Sequence, residues 1–212
     1  MLNRAFDLLK RQGGAALVQR IAGRVWRQKT YELYSLDCKL APEPDREGER
    51  HQLHVLRKSD LVSAAGLLEQ AAAINPETIE YFDDVRKDRV IGILAHDEGR
   101  LLHYAFVFKK NKTACLLGLP PGVALIGNAY TVPDARGRGI QGASVRVRAA
   151  VARDEGFSAI VAETAPDNLA SQRGMLKGGM QPIGRLKLVV VMNCFVVRWQ
   201  RPAGFRLLGF CW

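Results

Sequence analysis

Apolar and polar positions along the chain change period several times, and the changes mark its elements. His51 to Leu56 and Arg89 to Ala95 alternate or run apolar over strand lengths. Asp97-Glu98-Gly99 then turns the second run into Leu101 to Lys109, which predicts a hairpin. Leu61 to Ala73 repeats at helical spacing, with Asp60 placed as its N-cap, and Pro76 to Val85 predicts a second, short helix. Thr113 to Leu119 reads as a short strand ended by Pro120-Pro121-Gly122. Val123 to Val132 predicts another strand. Ile140, Ala143, Val147 and Ala150 lie on one face of a helix over 139–154. Phe157 to Glu163 is a nearly continuous apolar run, the signature of a buried parallel strand. A helix over Asp167 to Lys177, with Asp167 as cap, and a long closing strand from Leu186 to Val197 follow. Arg198 to Trp212 reads as a basic-aromatic tail.

The first part of the chain has a different character. Residues 1–29 read as helical, broken at Gly13-Gly14, with Leu17, Val18, Ile21, Val25 and Trp26 on one face and Arg20, Arg24 and Arg27 opposite. Residues 1–30 hold seven basic side chains against Asp7 alone, so most of the net charge of +10 sits there. Such a helix either packs its apolar face on the body or lies on an anionic membrane. Tyr31 to Leu40 reads as a strand, and Ala41 to Glu49 as a linker. A boundary is expected at 48/49, separating a basic N-terminal extension from a domain over 49–212.

Cys38, Cys115, Cys194 and Cys211 show no paired spacing, which fits a reducing compartment and offers no zinc site. The four histidines have no metal-ligand spacing, and no metal is expected. The longest apolar run, Leu188 to Val197, is interrupted by Asn193 and is too short to span a membrane; no secretory signal is expected at the N-terminus. A basic balance raises nucleic acid as a partner, but the body lacks the aromatic-interleaved basic pattern of single-strand binders, and none is expected.

The most specific stretch is Val132 to Gly142, V-P-D-A-R-G-R-G-I-Q-G, a glycine-rich turn between a strand and a helix. Its glycines let backbone approach a ligand, the helix N-terminus favours an anion, and Arg136 and Arg138 add fork-shaped donors. A tight connection with two solvated arginines would look the same. The Gly-Lys-Ser/Thr ending of a P-loop is missing, and the turn comes too late for a dinucleotide fold.

Arg136-Gly137-Arg138-Gly139-Ile140-Gln141-Gly142, preceded by Pro133, resembles the phosphate-binding pattern of the GNAT superfamily of acyl-CoA-dependent N-acyltransferases, with Gln141 where Gly or Ala is usual. Asn168, Ser171, Lys177 and Gly179 resemble its second pattern, with Met180 at the usual Phe. The resemblance covers about residues 50–198 and implies a mixed, mostly antiparallel central sheet flanked by helices. It also implies acetyl-CoA or another short acyl-CoA as co-substrate, held by Thr131, Val132, Arg136, Gly137, Arg138, Gly139, Ile140, Gln141, Gly142, Asn168 and Ser171. Asn168 reads equally well as a local cap. A backbone N–H at Thr131 or Val132 would stabilise the oxyanion.

The family's usual acid, a tyrosine seven positions after the asparagine, is Met175 here, and the strand before the turn carries no Glu. Glu163 is the first candidate base. Tyr130 is the second, or the acid. Asn128 lies two residues away on the same face, and His103 is a weaker candidate. Residues around Ala73 to Phe82 would line the acceptor side. The resulting expectation is an N-acyltransferase, cytoplasmic or at the inner membrane face, acting on a small-molecule amine such as an amino sugar or envelope precursor by direct attack in a ternary complex. A membrane-surface enzyme with a lipid-linked acceptor and a non-catalytic acyl-CoA binder are the alternatives. The oligomeric state stays open, with a homodimer as one option.

Overall fold

The structure, a computed structural model, describes residues 26–42, 53–110, 112–192 and 194–211. Its nine strands are β1 (Trp26–Asp37), β2 (Leu53–Leu56), β3 (Val90–Asp97), β4 (Arg100–Phe108), β5 (Val123–Thr131), β6 (Ala159–Thr164), β7 (Gln181–Val191), β8 (Phe195–Gln200) and β9 (Leu208–Phe210). They form one sheet in the order β2-β3-β4-β5-β6-β1-β7-β8-β9. The β5–β6 pair is parallel and every other pair is antiparallel. This is the mixed, mostly antiparallel sheet implied by the resemblance. Among the described residues five α-helices flank it: α1 (Ala65–Ile74), α2 (Thr78–Arg86), α3 (Lys112–Leu117), α4 (Ile140–Asp154) and α5 (Leu169–Lys177).

Alternation along each strand divides the core in two. On one face Leu33, Phe106, Phe108, Leu125 and Val161 pack with Ala71 of α1, Phe82 and Val85 of α2, and Leu117 of α3. On the other, Tyr34, Ile93, Val107, Ile126 and Ile160 pack with Val145, Ala149 and Ala152 of α4 and Met175 of α5. Helices α4 and α5 approach closely because glycines face the contact. A Cβ on Gly142 would lie 3.3 Å from the Lys177 carbonyl carbon, and one on Gly174 would lie 2.5 Å from Gln141 Cγ.

Several expectations need correction. Trp26 to Lys29, expected as the end of a helix, are the start of β1; the rest of that helix, residues 1–25, lies outside the described residues. The linker expected over 41–49 also lies outside them, apart from Ala41 and Pro42. Residues 26–37, expected in an extension before a boundary at 48/49, are an interior strand of the sheet, paired with β6 on one side and β7 on the other. Thr113 to Leu119, expected as a strand, forms the helix α3 and its C-terminal turn. The closing strand is a hairpin, β7 and β8. Met192 takes φ 51°, and Cys194 donates its N–H to the Val191 carbonyl. The tail contributes the end of β8 and the whole of β9. A disulfide joins Cys115 of α3 to Cys211 after β9, so two of the four cysteines are paired. Asp60 caps no α-helix: its carboxylate accepts the Arg57 N–H at 2.8 Å across a 3-10 turn, and α1 begins five residues later.

Candidate active site

Strands β5 and β6 pair only from Val123↔Ala159 to Ile126↔Ala162. Beyond that point β5 stays with β4 and β6 stays with β1, so the sheet opens. A bulge causes the parting. The β4–β5 register shifts between Tyr104 and Phe106, and Asn128 takes the left-handed φ of 49°, which bends and twists the strand. The opening holds a cleft of about 610 Å³ at its mouth and an inner cavity of about 240 Å³. Ala129, Gln141, Asn168 and Ser171 line both.

The glycine-rich turn forms the mouth. Pro133–Ala135 make a 3-10 turn, and Gly137 and Gly139 follow with φ of 80° and 83°. Gly139 is the N-cap of α4, and no side chain bonds the helix end. A Cβ at either glycine would meet nothing within 4 Å. They are therefore needed for backbone conformation, and the N–H groups of the first turn of α4 border open space. Arg136 Nε donates to the Thr131 carbonyl at 3.1 Å, and its guanidinium lies 5.8 Å over the Tyr130 ring. Arg138 donates to the Asp134 carbonyl at 2.9 Å. Asp134 pairs with Arg100, whose hydrogen bond holds the carboxyl below its ordinary range.

Thr131, Arg136, Gly137, Gly139, Ile140, Gln141, Gly142, Asn168 and Ser171 thus come together around the cleft; Val132 and Arg138 do not line it. Val132 is occupied, because its N–H donates to the Leu102 carbonyl at 2.9 Å and is not available to an oxyanion. In an antiparallel ladder the groups of the preceding residue then face away from the partner. The backbone of Thr131 is turned toward the cleft, and its carbonyl holds Arg136. Asn168, not Asp167, caps α5, with its Oδ1 accepting the Ser171 N–H at 3.1 Å.

The acid–base candidates lie on the α1–α2 side. Glu163 faces Leu33 across β1–β6 and shares that face of the sheet. Burial pushes its carboxyl above the ordinary glutamate value, and the Lys29 ammonium pulls it partly back. Asn128 and Glu163 both line the inner cavity. The Asn128 side chain lies near the Tyr81 phenol, whose pKa burial raises and on which the Glu77, Glu80 and Glu163 charges also act. Tyr130 stacks on Tyr104 with ring centroids 5.7 Å apart. No sequence pattern marks Tyr81, although it falls in the segment expected to line the acceptor side. His103 is not a base: it is fully buried between the Thr131 hydroxyl at 2.9 Å and the Ser144 hydroxyl at 3.0 Å, and burial pushes its pKa down to about 3. Among the described residues no group of acidic, histidine or cysteine side chains could hold a metal.

A sheet that parts beside a glycine-rich helix N-terminus gives an open cleft with a mouth suited to an anion. The profile of the acetyltransferase (GNAT) family matches residues 31–177, and the chain belongs to that family. Solved structures share the fold. A GCN5-related N-acetyltransferase from Sphaerobacter thermophilus aligns over 86% of this chain and 58% of its own, at 14% identity and TM-score 0.54. A GNAT-family acetyltransferase from Colwellia psychrerythraea aligns over 83% and 60%, at 19% identity and TM-score 0.53. A Drosophila protein aligns over 86% and 59%, at 20% identity and TM-score 0.53. The chain therefore spans about three fifths of the length of these structures. No curated protein matches it in sequence. Acyl-CoA is the co-substrate that family membership implies. The residues present fit it: the open, uncapped helix end suits a diphosphate, and the cleft behind it leads between the strands.

Proposed function

We propose that the protein transfers an acyl group from acyl-CoA to the amine of a small molecule, with both substrates bound together. The observation that carries this reading is the opening between β5 and β6, which has the anion cradle of Gly137 to Gly142 at its mouth and Glu163 at its inner end. In the reaction the neutral amine attacks the thioester carbonyl. A C–N bond forms, the C–S bond breaks, and the proton lost by the amine passes to Glu163, directly or through one water. A carboxylate held above its ordinary pKa by burial is suited to that transfer. The departing thiolate takes a proton from the Tyr130 phenol. The Thr131 N–H, turned toward the cleft, stabilises charge on the carbonyl oxygen. Tyr81, Tyr130 and Asn128 border the acceptor, an amino sugar or another small amine. Isothermal titration with acetyl-CoA tests the foundation. Wild-type protein should bind and the double variant Arg136→Ala, Gly139→Asp should not; no wild-type binding, or equal binding by the variant, sinks the reading.

A second reading, action at a membrane surface on a lipid-linked amine, is favoured by a row of exposed aromatics. Trp26 pairs with Val191, Val191 with Phe195, and Phe195 with Phe210, so three rings follow one line across four strands. They are 60%, 40% and 53% exposed. The row begins at Trp26, the residue that follows the strongly basic residues 1–25 in sequence. Aromatic side chains beside basic ones suit an anionic lipid interface. Flotation with anionic liposomes should fall sharply in Trp26→Ser with Phe210→Ser, with acetyl-CoA binding retained; undiminished flotation rules the row out as the contact.

A further inference from the structure

Arg148 is buried with no carboxylate among the described residues to answer it. It lies two turns into α4, facing the sheet, with 1% exposure. Its Nε donates to the Ser144 carbonyl at 3.2 Å, four residues back on the same helix. One terminal nitrogen finds no hydrogen-bond partner among the described residues, and no carboxylate among them pairs with it. Burial lowers its pKa to about 9, which leaves the group cationic at neutral pH. A buried ion without a counter-charge costs several kcal/mol, so a fold that keeps one has placed it toward something. Arg198, equally buried, is held differently. That guanidinium donates to the carbonyls of Cys115, Leu116 and Arg206 and serves as a strut between α3 and the C-terminal strands.

Arg148 lines the inner cavity, with Ile126 and Ala162, at the last residue pair before β5 and β6 part. The cleft runs from the anion cradle to this point. On the function proposed above, a thioester held by its diphosphate at the mouth carries its acyl end inward, toward the apex. We infer that Arg148 receives a carboxylate at the far end of the acyl group, and that the preferred donor is a short dicarboxylic acyl-CoA of the malonyl or succinyl class. The fork of a guanidinium matches a carboxylate with two parallel hydrogen bonds, and an acetyl group offers it nothing.

Calorimetric titration of the full chain with CoA, acetyl-CoA and succinyl-CoA, repeated with malonyl-CoA, tests this assignment. Wild-type protein should bind the dicarboxylic thioester roughly ten- to a hundredfold more tightly than acetyl-CoA, as for a hydrogen-bonded charge pair. In Arg148→Met that ratio should fall to about one. Equal affinities in the wild type, or a ratio that survives in Arg148→Met, overturn the assignment. Failure of the wild type to bind even CoA is a separate result that removes the acyltransferase reading itself. A carboxylate on the acceptor is the other source of the same chemistry. It is distinguished by turnover of acetyl-CoA with an amino acid and with its decarboxylated amine. If Arg148→Met changes the ratio of kcat/KM for that pair and leaves the thioester ratio alone, the acyl assignment is overturned. An uncompensated buried charge carries a desolvation cost that an apolar side chain of similar volume removes, so Arg148→Met is expected to fold. Should Arg148→Met not fold, Arg148→Lys serves: loss of the fork should reduce the wild-type ratio, and an unchanged ratio overturns the proposal.

Discussion

The imidazole Nε2 of His103 lies 3.0 Å from the Ser144 hydroxyl and ties β4 to α4 from a position with no solvent exposure. Its other nitrogen meets Thr131, the residue that presents its backbone to the cleft. The folded protein keeps this ring neutral, with a pKa of about 3 against 6.5 for a free imidazole. As pH falls below 6.5 the unfolded chain takes up a proton that the fold refuses. The contribution is intact above the free value and is lost progressively as pH falls toward 3. Between pH 7.5 and pH 5 this group should cost the wild type about 2 kcal/mol. Urea unfolding at the two pH values checks this: His103→Gln should lose that share of the difference, and identical pH dependence in both proteins contradicts it.

Glu163 titrates in the opposite sense, from neutral when protonated to charged when free. Burial raises its pKa, so the base form disappears at a higher pH than for an ordinary glutamate. In the reaction proposed above, with Glu163 as the base, the acid limb of kcat/KM should accordingly lie above the usual carboxylate range. Glu163→Gln should lower kcat by about 10²- to 10⁴-fold, with acyl-CoA affinity little changed. A variant within a factor of two of wild type would transfer the role elsewhere.

Gly178 closes α5 against α4, and a Cβ added there would overlap the Val145 side chain at its own Cβ. Neither atom is the flexible end of a side chain, so the helices must separate. Gly178→Ala should destabilise the fold by about 1–3 kcal/mol, the usual range for overpacking. Thermal unfolding reads this directly, and an unchanged midpoint would mean that the helices slide apart freely.

Asn168 caps α5 and also borders both parts of the cleft. Asn168→Ala should cost about 1 kcal/mol through the lost cap. Asn168→Asp preserves an acceptor for the Ser171 N–H and should restore the stability. If acyl-CoA affinity follows stability across these two variants, the residue acts only as a cap. If Asn168→Asp is stable yet binds weakly, the amide itself contacts the ligand.

The features legible in the sequence are those whose cause is local. The β3–β4 hairpin follows from Asp97-Glu98-Gly99, and the cradle from glycines placed where φ turns positive. The features that the sequence does not reveal depend on distant partners. Apolar Thr113 to Leu119 is helical where Leu117 packs into the core and Arg198, from another strand, gathers the carbonyls of Cys115 and Leu116. On α4, the apolar stripe reading included Val147 and Ala150. The fully buried face instead runs through Ser144, Val145, Arg148, Ala149 and Ala152, with Val147 and Ala150 at its margin. A serine and an arginine at core positions hide a helix face from any search for apolar periodicity. The missed functional candidates, Tyr81 and Arg148, have no motif around them. Only the bulge at Asn128 and the parting of β5 from β6 give them a cavity to face.

The insertion of β1 between β6 and β7 sets an order of events during synthesis. Its residues leave the ribosome early, but their partners come much later: Glu32 meets Arg185, 153 positions further on. Until β6 and β7 emerge, β1 has neither of its sheet partners and Leu33 is unburied. The cleft wall carrying Glu163 is consequently among the last parts of the protein to become rigid, and closure over so long a span is slow. A chaperone that shields the emerging β1 should therefore raise the yield of folded protein more than one that acts on the finished C-terminal hairpin.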